Sequence, residues 1–213
     1  MDGKQSTPNI SLSHIIAEEI THQIISGKLK PGEKVSEYDF AENFGTSRAP
    51  VREAIFLLTV EGLVERIPRK GAVVKGYTKE EIKDICEIRT ILEDLAMKRI
   101  KAHGVDHEIL KQIKNLISLM TMATEDQTEY TRLNQELHRC IIKMSQSNVI
   151  NDMYWKLGRP LLALQRISFL EEKHIKKSLE EHKLIFELLS ENSIDAANVI
   201  LEKHNLDVIT RIM

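Results

Sequence analysis

Three of the chain's eight histidines fall where apolar core residues are expected. His138 follows Asn134 by four positions, in a stretch whose apolar stripe includes Leu133, Leu137 and Ile141. His182 lies among Leu179, Ile185, Phe186 and Leu189, and His204 among Ile200, Leu201 and Val208. A single buried imidazole is satisfied by one hydrogen bond, but three on core-facing stripes invite a shared explanation, because each unpaired polar group is costly. His182 lies eight residues before Ser190 and His204 ten after Ile194, on either side of the Glu191-Asn-Ser turn. An antiparallel hairpin would bring both to similar heights, about 12–15 Å from the turn. Asn134 and His138 share one face of a third helix. Three imidazoles and an amide oxygen contributed by three helices make a divalent-metal site with open positions. The bland alternative is three separate core histidines, each bonded to a carbonyl or a carboxylate.

Arginines supply the other candidate chemistry. Arg89 occupies the middle of a stripe formed by positions 82, 85, 89, 92 and 96. A charge there needs a partner. Glu93, four residues on, is one; a carboxylate ligand clamped between the planar guanidinium and the metal is the other. Glu93 and the adjacent Asp94 face different sides and make a poor acid/base pair. Near the N-terminus, Arg48 and Arg52 are one turn apart and rise together from a helix that Ser47 can cap. Such a fork fits guanine O6/N7 or two phosphates, and the first free N–H groups behind Ser47 favour a phosphate. Alternatively, the two are solvated charges paired with Glu53 or Glu61.

The elements that must hold these residues are legible in outline. Residues 1–10 are polar and contain Gly and Pro, as in a disordered arm. Ile16, Ile20 and Ile24 mark a first helix ending at Gly27, and Pro31-Gly32 a turn. A short helix over Glu37–Asn43 ends at Gly45, and a third follows, with Val51, Ala54, Ile55, Leu58 and Leu63 on its buried side. Pro50 falls in that helix's first turn, where its missing N–H costs nothing. Two β-prone runs, Val64–Ile67 and Ala72–Lys75, flank the basic tip Pro68-Arg-Lys-Gly71. Three helices and a hairpin are the plan of a winged helix-turn-helix. From Lys79 onward the pattern is helical throughout, over about 79–102, 106–122, 128–145, 148–166, 171–190 and 194–211, with short connections suited to an antiparallel bundle. The fold class is therefore mostly α, with a winged helix-turn-helix over 11–77 and an all-helical domain over 78–213.

Composition narrows the function classes. The net charge of −2 argues against a broad nucleic-acid surface, but Ser47–Lys75 holds Arg48, Arg52, Arg66, Arg69, Lys70 and Lys75 against only Glu53, Glu61 and Glu65. That local excess suits phosphate contacts confined to a small surface. One Trp in 213 residues disfavours base-stacking platforms. An apolar leader and a run of 18 apolar residues are both missing, so a cytoplasmic location is expected. Cys86 and Cys140 lack metal-finger spacing and read as reduced core thiols. Gly27-x4-Gly32 has phosphate-loop spacing but continues Glu33-Lys34, and is a turn.

The segments Gly27-Lys-Leu-Lys-Pro-Gly-Glu-Lys-Val-Ser-Glu, Gly45-Thr-Ser-Arg-Ala-Pro-Val-Arg-Glu-Ala54, Glu61-Gly-Leu-Val64 and Lys70-Gly71 resemble the GntR family of bacterial regulators. The resemblance implies that Ser47, Arg48, Arg52, Lys70 and Gly71 contact operator DNA. Tyr38 departs from the pattern, since some members carry an arginine there. The stretches Ile88-Arg-Thr-Ile-Leu-Glu93, Asn134-x3-His138 with Ser145-x-Ser-Asn148, Glu181-His182, Asp195-Ala-Ala and His204 resemble the FCD effector domain of the FadR-type branch. In its metal-binding members an Asp or Asn and three histidines hold Zn²⁺, Ni²⁺ or a similar ion, and a small carboxylate completes the shell. Here the first position is Asn134, an amide without negative charge. The resemblance implies a non-enzymatic, homodimeric repressor that binds a palindromic operator and a small carboxylate effector held at Asn134, His138, His182, His204 and Arg89. A metal-free regulator with an acyl ligand is the alternative, and a histidine-site metallohydrolase a more remote one.

Overall fold

The computed structural model describes residues 11–212; the arm expected over 1–10 lies outside them. These residues divide into two compact units, with the boundary between Gly76 and Tyr77.

In the first unit, α1 (Leu12–Ile25) starts at Ser11, whose side chain accepts from the His14 N–H. It buries Ile16, Ile20 and Ile24 at helical spacing. The short α2 (Glu37–Asn43) is capped by Ser36 and buries Phe40 and Ala41. Gly45, with φ +58°, then turns the chain, the Thr46 N–H reaching the Ala41 carbonyl at 2.9 Å. Helix α3 (Arg48–Val60) buries Val51, Ala54, Ile55 and Leu58 and packs on α1. Strands β1 (Val64–Ile67) and β2 (Gly71–Val74) pair antiparallel, with Val64 opposite Val74 and Ile67 opposite Gly71. The second strand begins one residue earlier than the sequence suggests, because Gly71 closes the ladder against Ile67. The Pro31 turn leads straight to this wing: the Val35 N–H bonds to the Ala72 carbonyl and the Val74 N–H to the Glu33 carbonyl.

The second unit is a bundle of α4 (Lys79–His103), α5 (His107–Met122), α6 (Gln127–Met144), α7 (Asn148–Ser168), α8 (Glu172–Ser190) and α9 (Ile194–Ile212). A reciprocal capping box between Thr78 and Glu81 starts α4. Asp106, Asp126 and Ser147 cap α5, α6 and α7. Leu133, Leu137 and Ile141 of α6 meet Leu179, Ile185 and Leu189 of α8 and Leu201 of α9 in the main core. The buried face of α4 comprises Ile82, Cys86, Arg89, Glu93, Ala96, Met97 and Ile100, so Ile85 and Leu92 are only half-buried. No described helix is long and apolar enough to cross a membrane.

Candidate metal centre and nucleic-acid interface

Helices α6, α8 and α9 bring His138, His182 and His204 into one fully buried cluster. Ring centroids lie 5.1 Å apart for His138 and His182, 5.2 Å for His138 and His204, and 4.5 Å for His182 and His204. One ligand nitrogen from each residue lies within 4.8 Å of the other two. The Nε2 atoms of His138 and His182 approach to 3.1 Å. Two nitrogens bound at about 2.0–2.1 Å to a tetrahedral or octahedral ion stand about 2.8–3.4 Å apart, so the contact has the spacing of two ligands on one ion. His204 Nε2 is buried without a hydrogen-bond partner among the described residues. So are both amide atoms of Asn134, one helical turn before His138 and 1% exposed. The His204 Nε2 and Asn134 Oδ1 lone pairs, left unpaired near three converging imidazoles in the fold, are the kind of donor atoms that fit a bound cation.

A layer of carboxylates stands behind the imidazoles. Glu181 Oε2 lies 2.8 Å from His204 Nδ1, and Glu93 Oε1 lies 3.1 Å from His138 Nδ1. Glu181 favours a proton on His204 Nδ1, which leaves that ring's Nε2 lone pair for a metal, whereas Glu93 is close to His138 Nδ1 without being aligned as a hydrogen-bond acceptor. Glu93 is also a hub. It accepts from Arg89 Nε at 2.9 Å, from the Tyr154 hydroxyl at 3.0 Å and from Asn205 Nδ2 at 2.7 Å. Arg89 and Glu93 are both 1% exposed. Burial alone would raise the Glu93 carboxyl, but Arg89, His138 and the Asn205 amide hold it well below the usual carboxylate range. The Glu181 carboxyl is pushed up by burial. Arg89 thus has the helical partner weighed for it, while its Nη2 edge has none among the described residues.

Burial, reinforced by the neighbouring imidazoles and Arg89, pushes His182 and His204 well below the ordinary value of 6.5. His138 moves the same way through burial and Arg89, against the pull of Glu93. Neutral imidazoles are the form that binds metal. The sign for stability follows: the unfolded chain takes up protons below about pH 6.5 while the folded histidines resist. Metal-free protein is therefore expected to lose stability from about pH 6.5 to 5, by up to about 1.4 kcal/mol per pH unit for each resisting histidine. Urea midpoints that stay constant across that interval would contradict it.

The first unit places the other predicted residues on its surface. Ser47 is the N-cap residue of α3, yet its side chain makes no cap hydrogen bond. It is exposed, with its hydroxyl not committed to the helix. Arg48 is exposed and its guanidinium carbon sits 5.8 Å from the centre of the Tyr38 ring. Arg52 donates from Nε to Glu37 Oε2 at 2.8 Å, so its partner is on α2 rather than Glu53 or Glu61. Lys70 and Gly71 are exposed at the wing tip, where Arg69 and Gly71 take positive φ of 68° and 87°. The sequence reading missed Glu181 as a histidine partner, and also Tyr154 and Asn205. The only available signal was the adjacency of Glu181 to His182.

An exposed arginine pair on a winged helix, joined in one chain to a helical bundle with a buried histidine cluster, defines a DNA-binding regulator with a separate sensing unit. The comparisons make this specific. Residues 12–74 match the family described as bacterial regulatory proteins, gntR family, and residues 84–207 match the FCD domain. The chain belongs to the GntR family of transcriptional regulators and carries an FCD effector-binding domain. It is 29% identical over 183 residues to the gluconate operon transcriptional repressor of Bacillus subtilis (strain 168), covering 82% of this chain and 74% of that one. The repressor RspR of Escherichia coli (strain K12) is 23% identical over 198 residues, covering 92% and 85%. A GntR regulator from Rhodococcus sp. RHA1 shares the fold with a TM-score of 0.80 at 21% identity, covering 94% of this chain and 96% of that one. E. coli McbR/YncC shares it with a TM-score of 0.73 at 21% identity, covering 94% and 98%.

Proposed function

We propose that this regulator is a repressor whose operator affinity is set by a small carboxylate bound at a divalent metal in the bundle. The observation that carries the reading is the convergence of three buried imidazoles, with the unpaired amide of Asn134 one helical turn before His138. Asn134, His138, His182 and His204 are the metal-holding residues, and Zn²⁺ or Ni²⁺ suits an imidazole-rich set. When bound, the ion supplies positive charge that attracts a carboxylate. Glu181 holds His204 in the ligating tautomer, Glu93 places its negative charge beside His138, and Arg89 turns its unpaired edge to the effector. The likeness to a protein named as a gluconate operon transcriptional repressor supports the repressor reading. An effector coupling of ~1–3 kcal/mol would change operator affinity about 5–150-fold. Purified protein is expected to hold close to one ion per chain; less than about 0.2 after reconstitution with Zn²⁺, Ni²⁺ or Mn²⁺ would discard the site.

On the DNA side, Ser47, Arg48, Arg52, Lys70 and Gly71 are the contact residues, acting on a palindromic operator in the cytoplasm through a homodimer. The dimer surface we assign to α4. Ile88, Ile91 and Leu95 are exposed on one face, at 46%, 58% and 42%. Acidic residues Glu80, Glu81, Asp84 and Glu87 crowd its first half, and Lys98, Arg99 and Lys101 its last. Antiparallel pairing of two copies about Ile91 sets Asp84 of one protomer opposite the partner's Lys98. Ile91→Asp is therefore expected to yield monomers in sedimentation, with weakened operator binding; an unchanged dimer would move the interface elsewhere.

A further inference from the structure

Where the start of α8 meets the end of α9 the bundle has a cavity of about 640 Å³ that shares no lining residue with the histidine cluster. Its lining includes Glu171, Lys173, His174, Lys177, Asp207 and Arg211. Two of the three cations are answered by carboxylates. Lys173 Nζ lies 2.6 Å from Glu171 Oε2, and Lys177 pairs with Asp207. Arg211 is not answered in the same way. Its side chain is only 6% exposed, its Nη2 has no hydrogen-bond acceptor among the described residues, and Asp207 Oδ2 stays 3.8 Å away. Its Nη1 reaches only the Ser168 hydroxyl, at 3.5 Å. The lining thus carries one positive charge more than it has carboxylates, and the surplus is the buried one. A buried charge without a full partner is costly, so this edge calls for an anion.

The adjoining turn adds donors. Helix α8 begins after Glu171, whose side chain makes no cap hydrogen bond, so the N–H groups of its first turn stay open. The helix start and the guanidinium are held against one residue: His174 Nδ1 donates to the Ser168 carbonyl at 3.1 Å, and Arg211 touches the Ser168 hydroxyl. An uncapped helix N-terminus and a planar guanidinium edge both favour an anion. With two ammonium groups added, the donors exceed what the two oxygens of a carboxylate can take up. A phosphoryl group carries three acceptor oxygens and a charge of about −1.5 to −2. We propose that this cavity is a second ligand site, which binds a phosphoryl group, either free phosphate or a small phosphate monoester. It stands whether or not a metal occupies the histidines. Lys177 lies 3.8 Å from Glu181, the carboxylate bonded to His204, so the site is one side chain removed from the candidate metal centre.

The test is titration calorimetry on the full-length chain, before and after treatment with a chelator, using inorganic phosphate, glucose 6-phosphate, glucose and acetate. At least one of the two phosphates is expected to bind saturably in both metal states, at least about tenfold more tightly than acetate, while glucose gives no heat. The order of the two phosphates separates the sources: tighter binding of the ester points to a phosphorylated metabolite, tighter binding of inorganic phosphate to the free ion. Arg211→Gln is expected to weaken the better probe at least about tenfold, since it removes a charged donor from a buried edge. Lys177→Gln should weaken it several-fold; its side chain is 48% exposed, so this variant guards against a folding defect in the first. Phosphate binding that vanishes on chelation yet survives both substitutions puts the anion on the metal and overturns the proposal. Binding of neither phosphate, or acetate binding as tightly, overturns it as well.

Discussion

Glu93→Ala is expected to cost about 3–5 kcal/mol of folding stability, the range for removing one partner of a buried ion pair. The reason is what the carboxylate leaves behind. Arg89, 1% exposed, would keep its charge with no counter-ion, and the Tyr154 hydroxyl and Asn205 amide would lose their shared acceptor. Glu93→Gln should cost less, since an amide oxygen still accepts from Arg89 and Tyr154 although the charge is uncompensated. Pairing the lesion with Arg89→Met should recover part of the loss, because the isolated charge disappears. Glu93→Ala alone should also weaken metal binding about 10–100-fold, because it removes the carboxylate 3.1 Å from the ring of His138. Urea unfolding with and without Zn²⁺ reads both effects. A Glu93→Ala protein within 1 kcal/mol of the parent would show that the hub does not carry the structure.

That carboxylate also marks where sequence reasoning stops. The meeting of His182 and His204 was legible because it depends on local arithmetic: two helices, a short turn, and a constant rise per residue. Arg89 to Glu93 was legible for the same reason, as a helical i,i+4 pair. The roles of Tyr154 and Asn205 were not, since they stand 61 and 112 residues from Glu93 and meet it only when α7 and α9 pack on α4. The buried face of α4 came out wider than the stripe drawn for it. A helix touched by α6, α7 and α9 buries more than one ridge, so Cys86 and Glu93 go inside while Ile85 and Leu92 stay at the margin. In the first unit, helix periodicity and the Gly45 turn placed α3. They could not show that Arg52 reaches back to Glu37, because that contact depends on the angle between α2 and α3. Nor could the N-cap preference of serine reveal that the Ser47 side chain leaves the cap bond unmade.

Arg52→Ala is expected to weaken specific DNA binding by ~1–3 kcal/mol, about 5–150-fold, and to relax the base preference at one position in each half-site. In the absence of DNA, Glu37 holds the Nε edge of Arg52 at the surface, 2.8 Å away. An exposed pair of this kind is worth only about 0–1 kcal/mol, so it orients the guanidinium without competing seriously with a bidentate base contact. Arg52→Lys should not rescue, because a point charge lacks the planar fork. Lys70→Ala, at the wing, should behave differently: binding falls similarly on every sequence, and the slope of log affinity against log salt drops by about one. Duplexes selected by the parent protein from a randomised library, then titrated by fluorescence anisotropy at several salt concentrations, separate the two patterns. If Arg52→Ala and Arg48→Ala both leave the selected sequences and their affinities unchanged, α3 is not the helix that reads the bases.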